Sequence, residues 1–178
     1  MRYWVVQCCS RKRINRFIPF VSDYSIIIPY AYYSLGMFDD ALRVFQKVYE
    51  AYRNVLGKDH LDTLHSLQCI GSVYISLGMF NDALHVFQEV YEEYRSILGI
   101  SHPDTLTSLH NLGDAYHHLG MFDNALHVFQ NVYENRKHTL GSNHPDTLRS
   151  LQSIGDACYS LGWFENALHA FNEVYEIR

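Results

Sequence analysis

The sequence predicts an all-α chain, folded as a right-handed α-solenoid of stacked antiparallel helix hairpins. Three observations carry that prediction. A Leu-Gly-x-Phe signature begins at Leu35, Leu77, Leu119 and Leu161, each 42 residues after the last. An Asp-Thr-Leu signature begins at Asp62, Asp104 and Asp146 with the same interval. Between the two landmarks, apolar residues recur every three or four positions, the spacing of one helical face. A fixed period of this size marks units that cannot bury their apolar faces alone and must stack on copies of themselves.

Each unit reads as two helices. In the third, helix A is expected from about Asp104 to Leu119, with Leu106, Leu109, Leu112, Ala115, Tyr116 and Leu119 on its apolar side. Pro103 suits a first turn, and Asp104 beside it complements the helix dipole. Gly120 supplies the left-handed residue that ends the helix. Helix B is expected from Phe122 to Leu140, with Ala125, Val128, Phe129, Val132 and Tyr133 inward, and Gly141 after it. Gly71, Gly113 and Gly155 fall in the middle of successive A helices, where glycine costs roughly 1 kcal/mol relative to alanine. A cost repeated at one register implies a close approach to helix B, alongside Ala83, Ala125 and Ala167. Two phenylalanine ladders, Phe38, Phe80, Phe122, Phe164 and Phe45, Phe87, Phe129, Phe171, are expected to be core.

The ends are less regular. Residues 1–30 read as an atypical segment, poorly ordered or a degenerate first helix, with Pro29 at the mid-helix glycine register. Residues 31–178 read as the array: helix B of the first unit, then three further units, the last truncated. Neither end offers a polar capping helix, so the expectation is a piece of a longer array, with self-association through uncapped ends as one consequence.

Charge excludes some partners. Of 14 basic residues, five (Arg2, Arg11, Lys12, Arg13, Arg16) lie in the first sixteen positions, which hold no acid. From Phe17 onward there are nine basic and 19 acidic residues. That acidic body repels phosphate, so no nucleic acid partner is expected. No stretch is long and apolar enough for a membrane partner. Cys8, Cys9, Cys69 and Cys158 lack ligand or disulfide spacing, which fits free thiols and a cytoplasmic setting. The Arg-rich start as a mitochondrial presequence, and Cys8–Cys9 as a lipidation site, are weaker readings.

The third unit's Leu112-Gly113, Tyr116, Gly120, Phe122, Ala125 and Phe129 together form a pattern that resembles the tetratricopeptide repeat. The usual unit has 34 residues; here helix B and its turn are longer. With the links LGKDHLDT, LGISHPDT and LGSNHPDT, the chain is similar to the repeats of kinesin light chains. It is also similar to repeat arrays attached to nucleotide-binding signalling proteins. Leu61 replaces proline in the first link, and Cys158 replaces the tyrosine of Tyr74 and Tyr116.

The resemblance implies that A helices line a concave groove that binds a protein or peptide. Its candidate residues are His65, Gln68, Ser72 and Ile75 in the second unit. The third contributes Thr107, His110, Asp114, His117 and His118, and the fourth Arg149, Gln152, Asp156 and Tyr159. Family members that clamp a terminal carboxylate do so with lysine and asparagine; here the corresponding sites are Gln68 and Ser72, His110 and Asp114, Gln152 and Asp156, with no cation. The implied role is an adaptor like the cargo-binding array of kinesin light chains. The alternatives are the sensor arm of a nucleotide-binding signalling protein and a structural, self-associating fragment.

No nucleophile motif, phosphate loop or paired-carboxylate arrangement stands out, so no enzyme and no cofactor are expected. The histidines do not read as a metal site. His85, His127 and His169 sit one unit apart, roughly 10 Å on ordinary helix spacing. His110 and His118 are about 12 Å apart along their own helix.

Overall fold

A computed structural model describes residues 24–177. The basic amino-terminal run and Cys8–Cys9 lie outside the described residues. Within them the chain forms eight helices and no strand. These are α1 (Tyr24–Ser34), α2 (Phe38–Leu56), α3 (Leu61–Ser76), α4 (Phe80–Leu98), α5 (Pro103–His118), α6 (Phe122–Leu140), α7 (Pro145–Ser160) and α8 (Phe164–Ile177). Odd-numbered helices are the A helices, even-numbered the B helices. Each helix packs on its sequence neighbours, giving four hairpins in an all-α repeat solenoid. Pro29 lies inside α1 and is buried.

The Leu-Gly signature is the turn within each hairpin. Leu77 closes α3 in helical conformation, Gly78 follows at φ +74°, and Met79 N–H donates back to the Tyr74 carbonyl over 2.9 Å. Only glycine takes that left-handed conformation without strain, and the back-bond satisfies a carbonyl that the helix end would leave open.

The links between hairpins use a cap that the sequence reading missed. His60, His102 and His144 are the N-caps of α3, α5 and α7. Each ring accepts through Nδ1 from the backbone N–H of Asp62, Asp104 or Asp146, at 3.2, 3.2 and 3.1 Å. Each ring thereby satisfies one of the backbone N–H groups that the first turn of a helix leaves without a partner. The threonine of Asp-Thr-Leu is buried in all three links, and Thr63 Oγ1 donates to the Gly57 carbonyl at the end of α2.

The repeated mid-helix glycines have the purpose expected of them. A β-carbon placed on Gly71 would lie 2.6 Å from Phe87 Cε1. On Gly113 it would lie 2.6 Å from Phe129 Cε1, and on Gly155 2.5 Å from Phe171 Cε1. The ring of helix B thus rests directly on the backbone of helix A. One expectation needs correction. The Phe45 ladder is buried through Phe129, but Phe38, Phe80 and Phe122 are only half-buried, and Phe164 is exposed. These rings start each B helix at the rim, where the next hairpin covers one side only.

Three stability measurements check this packing. Phe87 is 2% exposed, so Phe87→Ala should cost about 3–5 kcal/mol in urea unfolding. His127→Ala on the exposed side of α6 should change stability by less than about 0.5 kcal/mol. Gly113→Ala should destabilise by about 1–3 kcal/mol through overpacking, although alanine is the better helix former.

Candidate functional site

Neighbouring A helices meet through side chains one hairpin apart. Tyr33 Oη lies 2.9 Å from Ser76 Oγ, His117 Nε2 3.0 Å from Ser160 Oγ, and His110 Nε2 3.4 Å from Ser153 Oγ. Between B helices, Tyr133 Oη donates to Glu173 over 3.4 Å. The A side is thus the more tightly drawn of the two.

Across α5 and α7 this A-helix face carries an open recess of about 330 Å³. Asp114, His117, His118, Ser153, Asp156 and Tyr159 line it, with the Phe129 ring at its base. Five of the residues expected to line a groove are therefore brought together here. His118 also stacks on Phe80, ring centroids 5.0 Å apart, and His117 tilts against Phe122 at 5.1 Å. Gln152 is exposed beside the recess, while His65, Ser72, Ile75, Thr107 and Arg149 are half-buried along the same helices.

Two candidates are not available as surface. Gln68 and His110, at one register, are buried. His110 is 1% exposed and sits against the Phe129 ring at 5.1 Å, with Ser153 of α7 above it. Each inner A helix is covered on two sides, by its own helix B and by the neighbouring hairpin, so its free arc is narrower than a polar residue pattern suggests.

Around His110 lies a small charged network. Asp114 Oδ1 is 3.8 Å from His110 Nε2, and Asp114 Oδ2 is 3.8 Å from Arg149 Nη2. Burial pushes the His110 imidazole well below its usual range, and Arg149 and Arg136 push it further. Burial also raises Asp114 to about 7, against the pull of Arg149 and Arg136 and helped by Asp156, though 37% of the Asp114 side chain still meets solvent toward the recess.

Arg136 is a further residue the sequence reading did not single out. It is 3% exposed, at the helix B register that holds Tyr52 and Tyr94 in earlier units. Nη1 donates to the Asp146 carbonyl at 3.1 Å and to Ser150 Oγ at 2.9 Å, and Nη2 to Thr107 Oγ1 at 3.4 Å. One side chain of α6 thereby ties α5 to α7. The tyrosine-to-arginine change at a repeated register was its available signal.

With this geometry established, comparison with known proteins identifies the family. The tetratricopeptide repeat profile matches residues 30–96, 66–138 and 104–178. The chain belongs to the tetratricopeptide repeat family. Comparison with curated proteins gives no match. Among solved structures, the chain is similar to the nearly identical TPR-like repeats of a putative kinesin light chain from Podosopora anserina. That likeness has 23% identity and a TM-score of 0.77, covering 86% of this chain and 73% of the other. A single-substitution variant of the same repeats matches with the same values. BtubC (BKLC) from P. vanneervenii is 16% identical with a TM-score of 0.76, over 86% of this chain and 61% of that one. The recognised type, tetratricopeptide repeats like those of kinesin light chains, agrees with the sequence reading. Among the described residues, no helix is long and apolar enough to cross a membrane.

The network gives a pH dependence with a defined sign. The folded state keeps a proton on Asp114 between pH 3.8 and about 7, where the unfolded chain has lost it. Its stabilisation is full below that window and fades as pH rises through it. His110 acts oppositely: its contribution is present above its ordinary value of 6.5 and fades as pH falls below that. In urea unfolding across this range, Asp114→Asn should remove a component that declines with rising pH, and His110→Gln one that grows.

Proposed function

We propose that this repeat array is a protein-interaction adaptor whose A-helix face holds an extended or helical segment of a partner protein. The observation that carries the reading is the recess between α5 and α7, where carboxylates, imidazoles and an aromatic ring converge on one open face. A tetratricopeptide array is an interaction scaffold by architecture, and a pre-formed surface loses little conformational freedom when a partner docks. The mixture of hydrogen-bonding groups with the exposed Tyr159 ring suits several modest contacts along a peptide rather than one deep pocket. Similarity to kinesin-light-chain repeats favours cargo recruitment as the biological setting, in the cytoplasm.

Interaction profiling of paired variants checks this assignment. The double substitution His117→Ala and Asp156→Asn should lose partners retained by the wild type, with helicity intact. His127→Ala, on the exposed side of α6, should keep them all. An identical partner set for the recess variant and the wild type would remove the A-helix face from consideration.

A further inference from the structure

The two helices of a hairpin begin differently. Helices α3, α5 and α7 are capped by His60, His102 and His144. Helices α2, α4 and α6 have methionine at the capping position, and Met37, Met79 and Met121 make no side-chain capping bond. Serine, threonine, aspartate or asparagine there would satisfy one of the open N–H groups of the first turn. The methionines are instead 44%, 40% and 42% exposed. Met79 and Met121 lie in inner hairpins with a described hairpin on either side, so their exposure belongs to the array itself. Half-buried Phe80 and Phe122 follow them and widen the strip. An apolar chain kept in water at one register, where a polar one would cap, is not what the hairpin's own stability selects.

One sign of charge borders this edge. The stretches around the turns, 34–43, 76–85, 118–127 and 160–169, hold Asp39, Asp40, Asp82, Asp123 and Glu165. They contain no lysine, and Arg43 is paired with Asp40. At the opposite edge the same B helices end on Arg53, Arg95 and Lys137. The carboxylates also complement the helix dipoles, so it is the methionines that call for a partner and the carboxylates that set its sign.

Spacing sets its conformation. Successive turns lie roughly 10 Å apart on ordinary helix spacing. A helix laid along them rises about 1.5 Å per residue and meets the next methionine after about seven residues, on the same face. An extended strand would arrive after about three, an odd number, with its side chain turned to the opposite face. The edge therefore suits a helix that is apolar at about every seventh residue. Flexible thioethers adapt to whichever apolar group arrives.

We propose that the methionine edge docks an amphipathic helix of a partner protein, its apolar stripe on Met79 and Met121 and its basic flank on Asp82 and Asp123. This surface is distinct from the A-helix recess, and either can fail alone.

Fluorescence anisotropy on the full 178-residue chain tests the proposal. The probe is a labelled alanine-based helical peptide of about three heptads, with leucine at every seventh position and lysine beside it. The wild type should bind this peptide and ignore two controls, one with glutamine for leucine and one with glutamate for lysine. The double variant Met79→Ser and Met121→Ser should keep its helical circular dichroism spectrum and bind about tenfold more weakly or worse. Asp82→Asn with Asp123→Asn should weaken binding and flatten its salt dependence. Equal affinity for the methionine variant and the wild type overturns the proposal, because charge alone would then hold the peptide. So does a wild type that fails to bind the leucine–lysine peptide. Two other occupants would also overturn it. Self-association of the wild type that the methionine variant loses would make the edge a contact between copies. Binding that appears only after Arg11, Lys12, Arg13 and Arg16 are changed to serine would assign the edge to the chain's own basic run. Should the methionine variant lose helicity, the wild type's choice among the three peptides decides.

Discussion

Everything in this array depends on how closely helix A and helix B approach within a hairpin, and that distance is set by phenylalanine on glycine. Phe87, Phe129 and Phe171 lie on backbone that has no side chain to hold them off. The glycines weaken their own helices, yet each lets an aromatic ring replace water along bare helix backbone. The shallow separation carries outward. It lets the A helices of successive hairpins touch, so that Tyr33 and Ser76, or His117 and Ser160, bond across hairpins. The recess between α5 and α7 exists because this spacing is held on one side of the stack.

Much of the fold was legible because repetition multiplies weak signals. One Leu-Gly pair is a poor turn predictor; four at equal spacing, with Gly78 at φ +74° and a back-bond to Tyr74, leave one reading. The mid-helix glycines were readable for the same reason. The caps were not. Histidine is outside the Ser, Thr, Asp and Asn set that usually marks a helix start, so His60, His102 and His144 looked like part of a general histidine surplus. Their recurrence two residues before each aspartate was the available signal.

The candidate face was legible in outline and wrong in detail where burial decides. A helical wheel marks Gln68 and His110 as polar and therefore outward. In a solenoid an inner helix has neighbours on two sides, and both residues face one of them. His110 is accommodated as a neutral ring between Phe129 and Ser153, its charge disfavoured by burial and two arginines. Arg136 shows the complementary case: a cation placed where earlier units use tyrosine, held by carbonyl and hydroxyl acceptors from the helices on either side.

Leucine and tyrosine recur on one flank of the hairpins, at Leu84 and Tyr91 and again at Leu126 and Tyr133. Isoleucine or leucine recurs on the other, at Ile70, Leu112 and Ile154, and this sharing has a consequence for how such a chain changes length over generations. Any hairpin can follow any other with little mismatch at the seam. Duplication or loss of one 42-residue block would therefore lengthen or shorten the rod without redesigning a joint. Even the seam around Arg136 obeys this rule: Thr107 would be copied along with it, and the register of Ser150 holds serine in the other units too, at Ser66 and Ser108.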